Sequence, residues 1–190
     1  MIILIQYVKK YTYNLFKKIK QELQWDSEVI SKSIKIIKNN EIFLDSKEDV
    51  FKTAITKQSF NTGKHYWEII PNSKTQKEFK VGVCLSNQFN IETAFCDFKI
   101  GYGYYTIGQL RFGSNQSGKQ YGKKIKNEGV LGVFLNIDKG QLSFSLNGEY
   151  LGIAYECENL KKGPIYPAIS LCSISGCKIQ YLNIIPSIFL

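Results

Sequence analysis

Two different periods of apolar residues divide the chain near Trp25. The N-terminal segment has lysines on one side and, on the other, apolar residues at three- and four-residue steps or their sums: Ile5, Val8, Leu15, Ile19 and Leu23. This spacing predicts a basic amphipathic helix over residues 1–24. After Trp25 the period changes to two and turn residues recur about every ten positions, which is typical of an antiparallel sandwich or barrel. We therefore expect an all-β sandwich domain over residues 25–190, preceded by an N-terminal amphipathic helix.

The clearest predicted strand is residues 141–146, in which apolar and polar residues alternate strictly. Asn147-Gly148 follows directly and indicates a tight hairpin, because a type I′ turn requires positive φ at both central residues. The return strand is expected over residues 149–154. The nearly continuous apolar run 129–135 predicts a central strand that is buried on both faces. Further strands are predicted at residues 41–44, 65–70, 79–83, 166–171 and 178–182.

The stretch from Asn87 to Gly122 has a different character, because it is rich in aromatic residues and repeatedly interrupted by glycine. We expect long loops and short strands there. Loops on a rigid sandwich are where binding residues tend to lie, so this stretch is a candidate location for the functional site.

The charge of the chain does not favour a nucleic-acid partner. The formal net charge is +9, from 25 basic and 16 acidic residues. Five lysines against one glutamate place +4 of this charge in residues 1–24, and Arg111 is the sole arginine. Lysine lacks the planar fork with which arginine binds phosphate or guanine in a bidentate manner. We expect a protein or peptide partner and no nucleic acid.

Three roles are open for the helix predicted over residues 1–24: packing against its own domain or a neighbouring subunit, peripheral contact with an anionic membrane, and targeting to an organelle. The apolar run at residues 1–8 is far shorter than the roughly 20 residues of a spanning helix, so no transmembrane segment is predicted. Five cysteines, an odd number without a repeating spacing, favour reduced thiols and a cytoplasmic location. Mitochondrial or ciliary association is the alternative.

The search for catalytic chemistry finds little. His65 is the only histidine and lies in a predicted strand, where we interpret it as a partly buried structural residue. No Cys-x-x-Cys pair is present to bind zinc. The segment 113–119 has the glycine and lysine spacing of a P-loop, but Gln120 occupies the position of the hydroxyl that should ligate magnesium. We therefore predict no enzymatic activity, no cofactor and no metal.

Four segments, in order along the chain, resemble the SPRY domain family. The most specific is residues 129–154, which contains the hairpin with Asn-Gly at its tip and a Leu-Gly-x-Ala return. The others are Gly-Lys-His-Tyr-Trp-Glu-Ile at 63–69, Phe-Lys-Val-Gly-Val-Cys at 79–84, and Gly-Pro-Ile-Tyr-Pro-Ala-Ile-Ser at 163–170. The resemblance implies two packed antiparallel sheets that bind a protein or peptide through loops at one end.

The resemblance does not carry over the family's peptide anchors. The loops that correspond to the family's binding loops are residues 45–49, 87–97 and 172–176, and they lack the anchoring arginine and tryptophan. Tyrosine is enriched at binding hot spots, so the tyrosines of residues 102–105 are candidate anchors. Alternatively, these tyrosines belong to the core. The candidate partner-binding residues are Asp45, Lys47, Asp49, Tyr102, Tyr104, Tyr105, Arg111, Ser173 and Ser175.

Two other roles are compatible with the same resemblance. The chain would be a structural accessory subunit of a larger complex if the helix over residues 1–24 is its anchor. It would be a fragment of a ubiquitin-ligase substrate receptor if it is joined to other segments, as in many relatives. Large apolar patches on the isolated domain would favour the accessory subunit, because stable monomers rarely expose them.

Overall fold

The computed structural model describes residues 22–114, 116, 118–125 and 127–190. Most of the helix expected over residues 1–24 lies outside the described residues. Its described end, residues 22–24, is not helical, and Trp25 already begins a strand. The described part is all-β, as predicted, and its helical residues belong to short 3-10 helices at Phe95–Asp97, Glu158–Lys161 and Ser187–Phe189.

Strands account for most of the described chain. In chain order they are β1 (Trp25–Ile30), β2 (Ile34–Lys38), β3 (Glu41–Leu44), β4 (Phe51–Thr56), β5 (Lys64–Pro71), β6 (Lys80–Cys84), β7 (Gly101–Tyr105), β8 (Gln109–Arg111), β9 (Leu131–Asn136), β10 (Gln141–Leu146), β11 (Glu149–Glu156), β12 (Tyr166–Cys172) and β13 (Ser175–Leu182).

The strands form two antiparallel sheets. The six-stranded sheet has the order β1-β4-β12-β6-β7-β8, and the seven-stranded sheet has the order β11-β10-β9-β5-β13-β3-β2. Neighbours in each sheet run antiparallel. Strands that are distant in sequence thus become neighbours: β12 inserts between β4 and β6, and β13 between β3 and β5. This pairing brings loops from separate parts of the chain to the same end.

The main core lies between the two sheets and follows from the alternation of side chains along each strand. Trp67 on β5 and Phe144 on β10 are completely buried there, as the sequence predicts. All six residues of β9 are buried, which confirms the central strand expected from the apolar run. Residues of both sheets therefore contribute to one continuous core.

The hairpin at Asn147-Gly148 is confirmed. Leu146 pairs directly with Glu149, which leaves a two-residue turn, and φ is 50° at Asn147 and 81° at Gly148. The Asn147 Oδ1 atom accepts a hydrogen bond from the backbone N–H of Val130 at 2.8 Å. The turn therefore also connects the hairpin to the start of β9.

A second, smaller apolar cluster covers part of the outer face of the six-stranded sheet. Phe95 and Cys96, in the first 3-10 helix, pack there against Ile55 of β4 and Cys84 of β6. The N–H of Phe95 donates a hydrogen bond to the buried Ser170 hydroxyl at 3.1 Å. The loop between β6 and β7 thus covers part of this outer face.

Several strands were not predicted from the sequence: β1, β2, β4, β7 and β8. The last two fall within residues 87–122, where short strands and long loops were expected, and they contain five and three residues. β7 reads Gly-Tyr-Gly-Tyr-Tyr, and glycine is poor in strands unless another backbone approaches closely. A Cβ atom at Gly82 on the neighbouring β6 would lie 1.9 Å from the Tyr102 carbonyl oxygen. Close approach of these two strands therefore explains glycine at Gly82.

Candidate binding face

The sheet register gathers outward-facing side chains of neighbouring strands at one end of the six-stranded sheet. Tyr105 of β7 pairs with Lys80 of β6, and Lys80 pairs with Ser170 of β12. Two residues beyond Ser170, Cys172 pairs with Phe51 of β4. Residues that are directly paired or two apart share one face of a sheet.

Arg111 of β8 lies on this same face. It pairs with Gly103, which is two residues before Tyr105. We call this surface the Tyr105 face and define it by five residues: Phe51, Lys80, Tyr105, Arg111 and Cys172.

Lys80 lies in the middle of the Tyr105 face and contacts Asp97, Phe51 and Tyr105. Its Nζ atom lies 3.0 Å from the Asp97 Oδ1 atom, and its side chain is only 3% exposed. The same Nζ atom lies 4.3 Å from the Phe51 ring centroid and 5.5 Å from the Tyr105 ring centroid. The two rings meet edge to face at 5.5 Å. The ammonium charge is thus compensated by one carboxylate and two aromatic rings.

Arg111 is the second cation of the Tyr105 face and has a different environment. The residue is 6% exposed, and its Cζ atom lies 5.5 Å from the Tyr105 ring centroid. Its Nε and Nη1 atoms are buried without a hydrogen-bond partner among the described residues.

Burial raises the pKa of the Tyr105 phenol, with a further contribution from the carboxylate of Glu78. Tyr105 therefore stays a neutral hydrogen-bond donor beside two cations.

The loop between β3 and β4 forms one rim of this face. The Cys172 thiol donates a hydrogen bond to the Asp49 Oδ1 atom at 3.1 Å, and the Lys77 Nζ atom lies 3.6 Å from Asp49 Oδ2. The thiol hydrogen bond and the Lys77 charge lower the pKa of Asp49. Burial, together with the Asp49 carboxylate, raises the pKa of Cys172 to about 12. The Asp49 carboxylate on this rim is therefore charged, and it accepts a hydrogen bond from the neutral Cys172 thiol.

Several of the sequence-predicted site residues converge at this end of the sheet. Tyr105 and Arg111 lie on the Tyr105 face, and Asp49 on its rim. Ser173 lies on the turn after β12, and its hydroxyl donates to the Ser46 carbonyl oxygen at 3.3 Å. The loop that contains Ser46 and Asp49 also carries two exposed candidates, Asp45 and Lys47.

Three other predicted contact residues are corrected by the structure. Tyr104 is fully buried and Tyr102 is 4% exposed, and both belong to the core between the sheets. Because side chains alternate along β7, Tyr104 points inward where its neighbour Tyr105 points outward. Ser175 is also fully buried, and its hydroxyl donates to the Cys172 carbonyl oxygen at 2.9 Å. These three side chains are buried and make structural contacts within the domain.

Sequence reasoning missed Phe51 and Lys80 as members of this site, and it included Asp97 and Cys172 only as parts of the loops 87–97 and 172–176. Phe51 begins a strand that was not predicted. Lys80 falls inside the predicted strand 79–83, and an isolated lysine in an otherwise apolar strand was the available signal. The contact between Lys80 and Asp97 joins the start of β6 to the 3-10 helix Phe95–Asp97, and nothing in the linear pattern indicates it.

His65 lies on β5, in the other sheet. Its Nδ1 atom lies 3.1 Å from the Tyr181 hydroxyl, its Nε2 atom lies 2.8 Å from the Thr62 carbonyl oxygen, and its ring stacks on Phe60 at 3.8 Å. Burial lowers the pKa of His65. Both ring nitrogens are thus engaged in structural contacts, as expected of a partly buried histidine.

Two searches of the described residues are negative. No group of three or more His, Cys, Asp or Glu side chains is placed to hold a metal ion in this part of the chain. Within the same residues, no helix is long and apolar enough to cross a membrane.

The molecule is thus an antiparallel two-sheet β-sandwich with a loop-rimmed outer face. The family model of the SPRY domain matches residues 64–183, and the chain belongs to the SPRY domain family. This confirms the resemblance found in the sequence motifs. The family is one of protein-interaction folds, generally without enzymatic activity.

Curated relatives share the domain within longer proteins. The chain is 30% identical over 87 residues to the ATP-dependent RNA helicase Ddx1 of Drosophila melanogaster, and 26% identical over 154 residues to butyrophilin subfamily 1 member A1 of Mus musculus. These matches cover 45% and 75% of this chain, but only 11% and 27% of those proteins. The similarity therefore concerns one domain of each relative.

Solved structures show the same fold at low sequence identity. The SPRY domain of human HERC1 has a TM-score of 0.66 at 16% identity, with 85% of this chain and 99% of that chain covered. The TRIM65 PSpry domain has a TM-score of 0.65 at 16% identity, with coverages of 86% and 93%. These likenesses extend over most of the described chain and concern its fold.

Proposed function

We propose that this chain is a non-enzymatic interaction module that holds a protein or peptide segment on the Tyr105 face and its rim. The observation that carries the proposal is the convergence, on one rigid sheet, of aromatic and charged side chains from strands far apart in sequence. A rigid sheet that presents side chains between mobile loops is a common arrangement for binding. Tyrosine and arginine, both present here, are enriched among binding hot spots.

The surroundings of Tyr105 support a contact role for it. Its ring is half-buried between Phe51 and two cations, so its position is set before any partner arrives. A pre-positioned side chain loses little conformational freedom on binding, which favours affinity. Asp49 and Ser173 on the rim form hydrogen bonds within the domain, and these hydrogen bonds also fix their positions.

The proposal is tested by partner capture with two single variants. The full chain, immobilised at equal density, is incubated with a lysate of its source cells, and retained proteins are quantified by mass spectrometry. Tyr105→Ala is expected to lose the specific partners at least about tenfold, because it removes a central aromatic contact. Tyr150→Ala is the matched control, since Tyr150 is an exposed tyrosine on β11 of the opposite sheet.

Thermal unfolding of both variants establishes that each is folded. Loss of the same partners by Tyr150→Ala, with retention by Tyr105→Ala, would place binding on the opposite sheet and overturn the proposal.

A specific observation favours a second candidate, the structural accessory subunit. Ile184 and Leu190 at the C-terminal end are 83% and 79% exposed, and Tyr150 and Ile153 on the adjoining β11 are exposed as well. Exposed apolar groups of this kind mark contact surfaces. In this role the chain would stay in a large particle when Tyr105 is replaced, and would leave it when residues 184–190 are deleted. Gel filtration of native extracts distinguishes the two candidates.

The compartment, membrane contact and a part in a ubiquitin-ligase receptor are further proposals. The five cysteines are free thiols, which supports a reducing compartment such as the cytoplasm. Membrane contact or organelle association through residues 1–24, and a part in a ubiquitin-ligase substrate receptor, stay predictions. Fractionation of cells that express the chain with and without residues 1–24 tests the first of these.

A further inference from the structure

Arg111 carries a positive charge on a side chain that the fold buries. The other cation of the Tyr105 face, Lys80, has Asp97 at 3.0 Å. For Arg111 neither Nε nor Nη1 has a hydrogen-bond partner there, although the residue is 6% exposed. A guanidinium cannot release its proton in a protein, so the charge persists in this environment. Burial of an unpaired charge is unfavourable.

The backbone around Arg111 holds the side chain in this unfavourable place. The Tyr155 hydroxyl lies 2.9 Å from the Arg111 carbonyl oxygen and 2.8 Å from the Gly103 carbonyl oxygen, and these two acceptors share its single proton. Against its stem lies Gly118, where an added Cβ atom would be 3.3 Å from the Arg111 Cδ atom and 2.0 Å from the Leu110 carbonyl oxygen. The guanidinium is therefore fixed beside Tyr105.

Three acidic side chains near the Tyr105 face already have partners. Asp97 pairs with Lys80, Asp49 with Lys77 and the Cys172 thiol, and Glu78 with Lys124 at 3.0 Å. Of the two cations of the Tyr105 face, Arg111 is the one whose Nε and Nη1 atoms have no hydrogen-bond partner among the described residues. A single charge matches a monoanion, and the planar guanidinium matches the planar carboxylate in shape and hydrogen bonding.

We propose that Arg111 is the receptor for a carboxylate of the bound segment, so that the segment recognised on the Tyr105 face carries an aspartate or glutamate side chain at this position. This inference rests on the proposed function, because it assumes that the Tyr105 face binds a partner segment. The Tyr105 ring lies beside the guanidinium, with its centroid 5.5 Å from the Arg111 Cζ atom. A partner carboxylate would compensate the charge that the fold leaves unpaired.

The test uses the fact that Arg111 is the sole arginine, so the 15N-labelled full chain gives a single arginine Nε–H cross-peak. That peak is followed by NMR during titration with N-acetyl-glutamate methylamide. The control ligand is N-acetyl-glutamine methylamide, the neutral isostere, at matched ionic strength. The peak is expected to shift to saturation with the glutamate ligand, and the glutamine ligand is expected to bind at least tenfold more weakly. An unchanged peak, or equal responses, would overturn the inference.

Inorganic phosphate forms a third arm of the titration. Tighter binding of phosphate than of the glutamate ligand would show that the site prefers a dianion, and would overturn the carboxylate assignment. Weaker binding of phosphate supports it.

A variant separates a binding role of Arg111 from a merely structural one. Arg111→Met keeps much of the apolar stem and removes the charge. If the charge is held for a ligand, the variant unfolds at a higher temperature than the natural chain and the backbone amides around Tyr105 no longer respond to the glutamate ligand. If Arg111 is structural, the variant unfolds at a lower temperature, and the Arg111 cross-peak of the natural chain does not shift when the glutamate ligand is added. Should the variant fail to fold, the titrations of the natural chain decide.

Failure of this inference and failure of the proposed function give different results. A silent Arg111 peak, together with loss of partners by Tyr105→Ala, overturns the carboxylate site and leaves the binding face intact. A responsive peak, together with partners that tolerate Tyr105→Ala, keeps the anion site and overturns the binding face.

Discussion

Lys80 and Asp97 form a partly buried ion pair that connects the first residue of β6 to the 3-10 helix over the outer face. The Nζ and Oδ1 atoms lie 3.0 Å apart, with the two side chains 3% and 21% exposed. Removal of one partner from such a pair leaves a charge without compensation, which is far more costly than the pair itself is stabilising. The pair therefore holds the loop between β6 and β7 in place beside the Tyr105 face.

Asp97→Asn is expected to lower the free energy of unfolding by about 3 kcal/mol, because Lys80 remains charged and buried. Urea unfolding followed by tryptophan fluorescence measures this loss. The control is Glu149→Gln, which removes the partner of Lys123 from an exposed pair and is expected to cost less than about 1 kcal/mol. Similar small losses for both variants would contradict the assignment of the buried pair.

Two glycines are required for different reasons, and alanine separates them. At Gly82 a Cβ atom would lie 1.9 Å from the Tyr102 carbonyl oxygen, whereas at Gly148 no atom lies within 4 Å but φ is 81°. Gly82→Ala is expected to lower the free energy of unfolding by at least about 3 kcal/mol through overpacking. Gly148→Ala should cost only about 1 kcal/mol through backbone strain. Equal losses in urea unfolding would show that β6 and β7 can separate without penalty.

Stability is expected to depend on pH through His65, the only histidine. Burial holds the pKa of folded His65 below its usual value of 6.5, so the unfolded chain takes up the proton at higher pH than the folded chain. The contribution to stability is complete above pH 6.5 and is lost as the pH falls below that value. The urea midpoint should therefore decrease between about pH 7.5 and about pH 5.5.

His65→Gln serves as the control for this pH dependence. Its midpoint is expected to be lower than that of the natural chain at neutral pH, because the stacking on Phe60 is weakened, and to change little over the same pH range. An equal decrease in the variant would assign the effect to another group.

Thiol reactivity should differ sharply among the five cysteines. Cys157 is half-buried, and the others are buried with a raised pKa caused by desolvation: Cys84, Cys96, Cys172 and Cys177. Alkylation requires an accessible thiolate. Iodoacetamide is expected to modify Cys157 at least about tenfold faster than the other four in the folded chain. Peptide mass spectrometry measures the rates, and fast modification of Cys172 would contradict the buried contact with Asp49.

Local signals in the sequence were sufficient for much of the fold. The strict alternation of residues 141–146 and the Asn147-Gly148 turn predicted a hairpin whose bounds the structure reproduces at Gln141–Leu146. Such signals act within a few residues, so they can be recognised without a partner strand. β7 was missed because its glycines suit a strand only where the 3-10 helix packs against it. An added Cβ atom would lie 2.3 Å from the Phe95 carbonyl oxygen at Gly101 and 3.1 Å from Cys96 at Gly103, and no local pattern shows that packing.

The candidate site was predicted only in part, and for a related reason. The three tyrosines of residues 102–105 were singled out together, yet Tyr102 and Tyr104 are buried and only Tyr105 faces outward. Alternation along a strand predicts that Tyr104 and Tyr105 point to opposite sides, but not which side the second sheet will cover.

The sequence by itself determined the class of this protein: period-two alternation, the hairpin turn and the family motifs are local properties of the chain. Only the tertiary structure decided the site. Asp49, Lys80 and Arg111 come from three separate segments and meet because β12 pairs with both β4 and β6. Strand pairing between distant segments depends on the packing of the whole sandwich. The burial of Arg111, with Nε and Nη1 unpartnered among the described residues, therefore appears only in the folded structure.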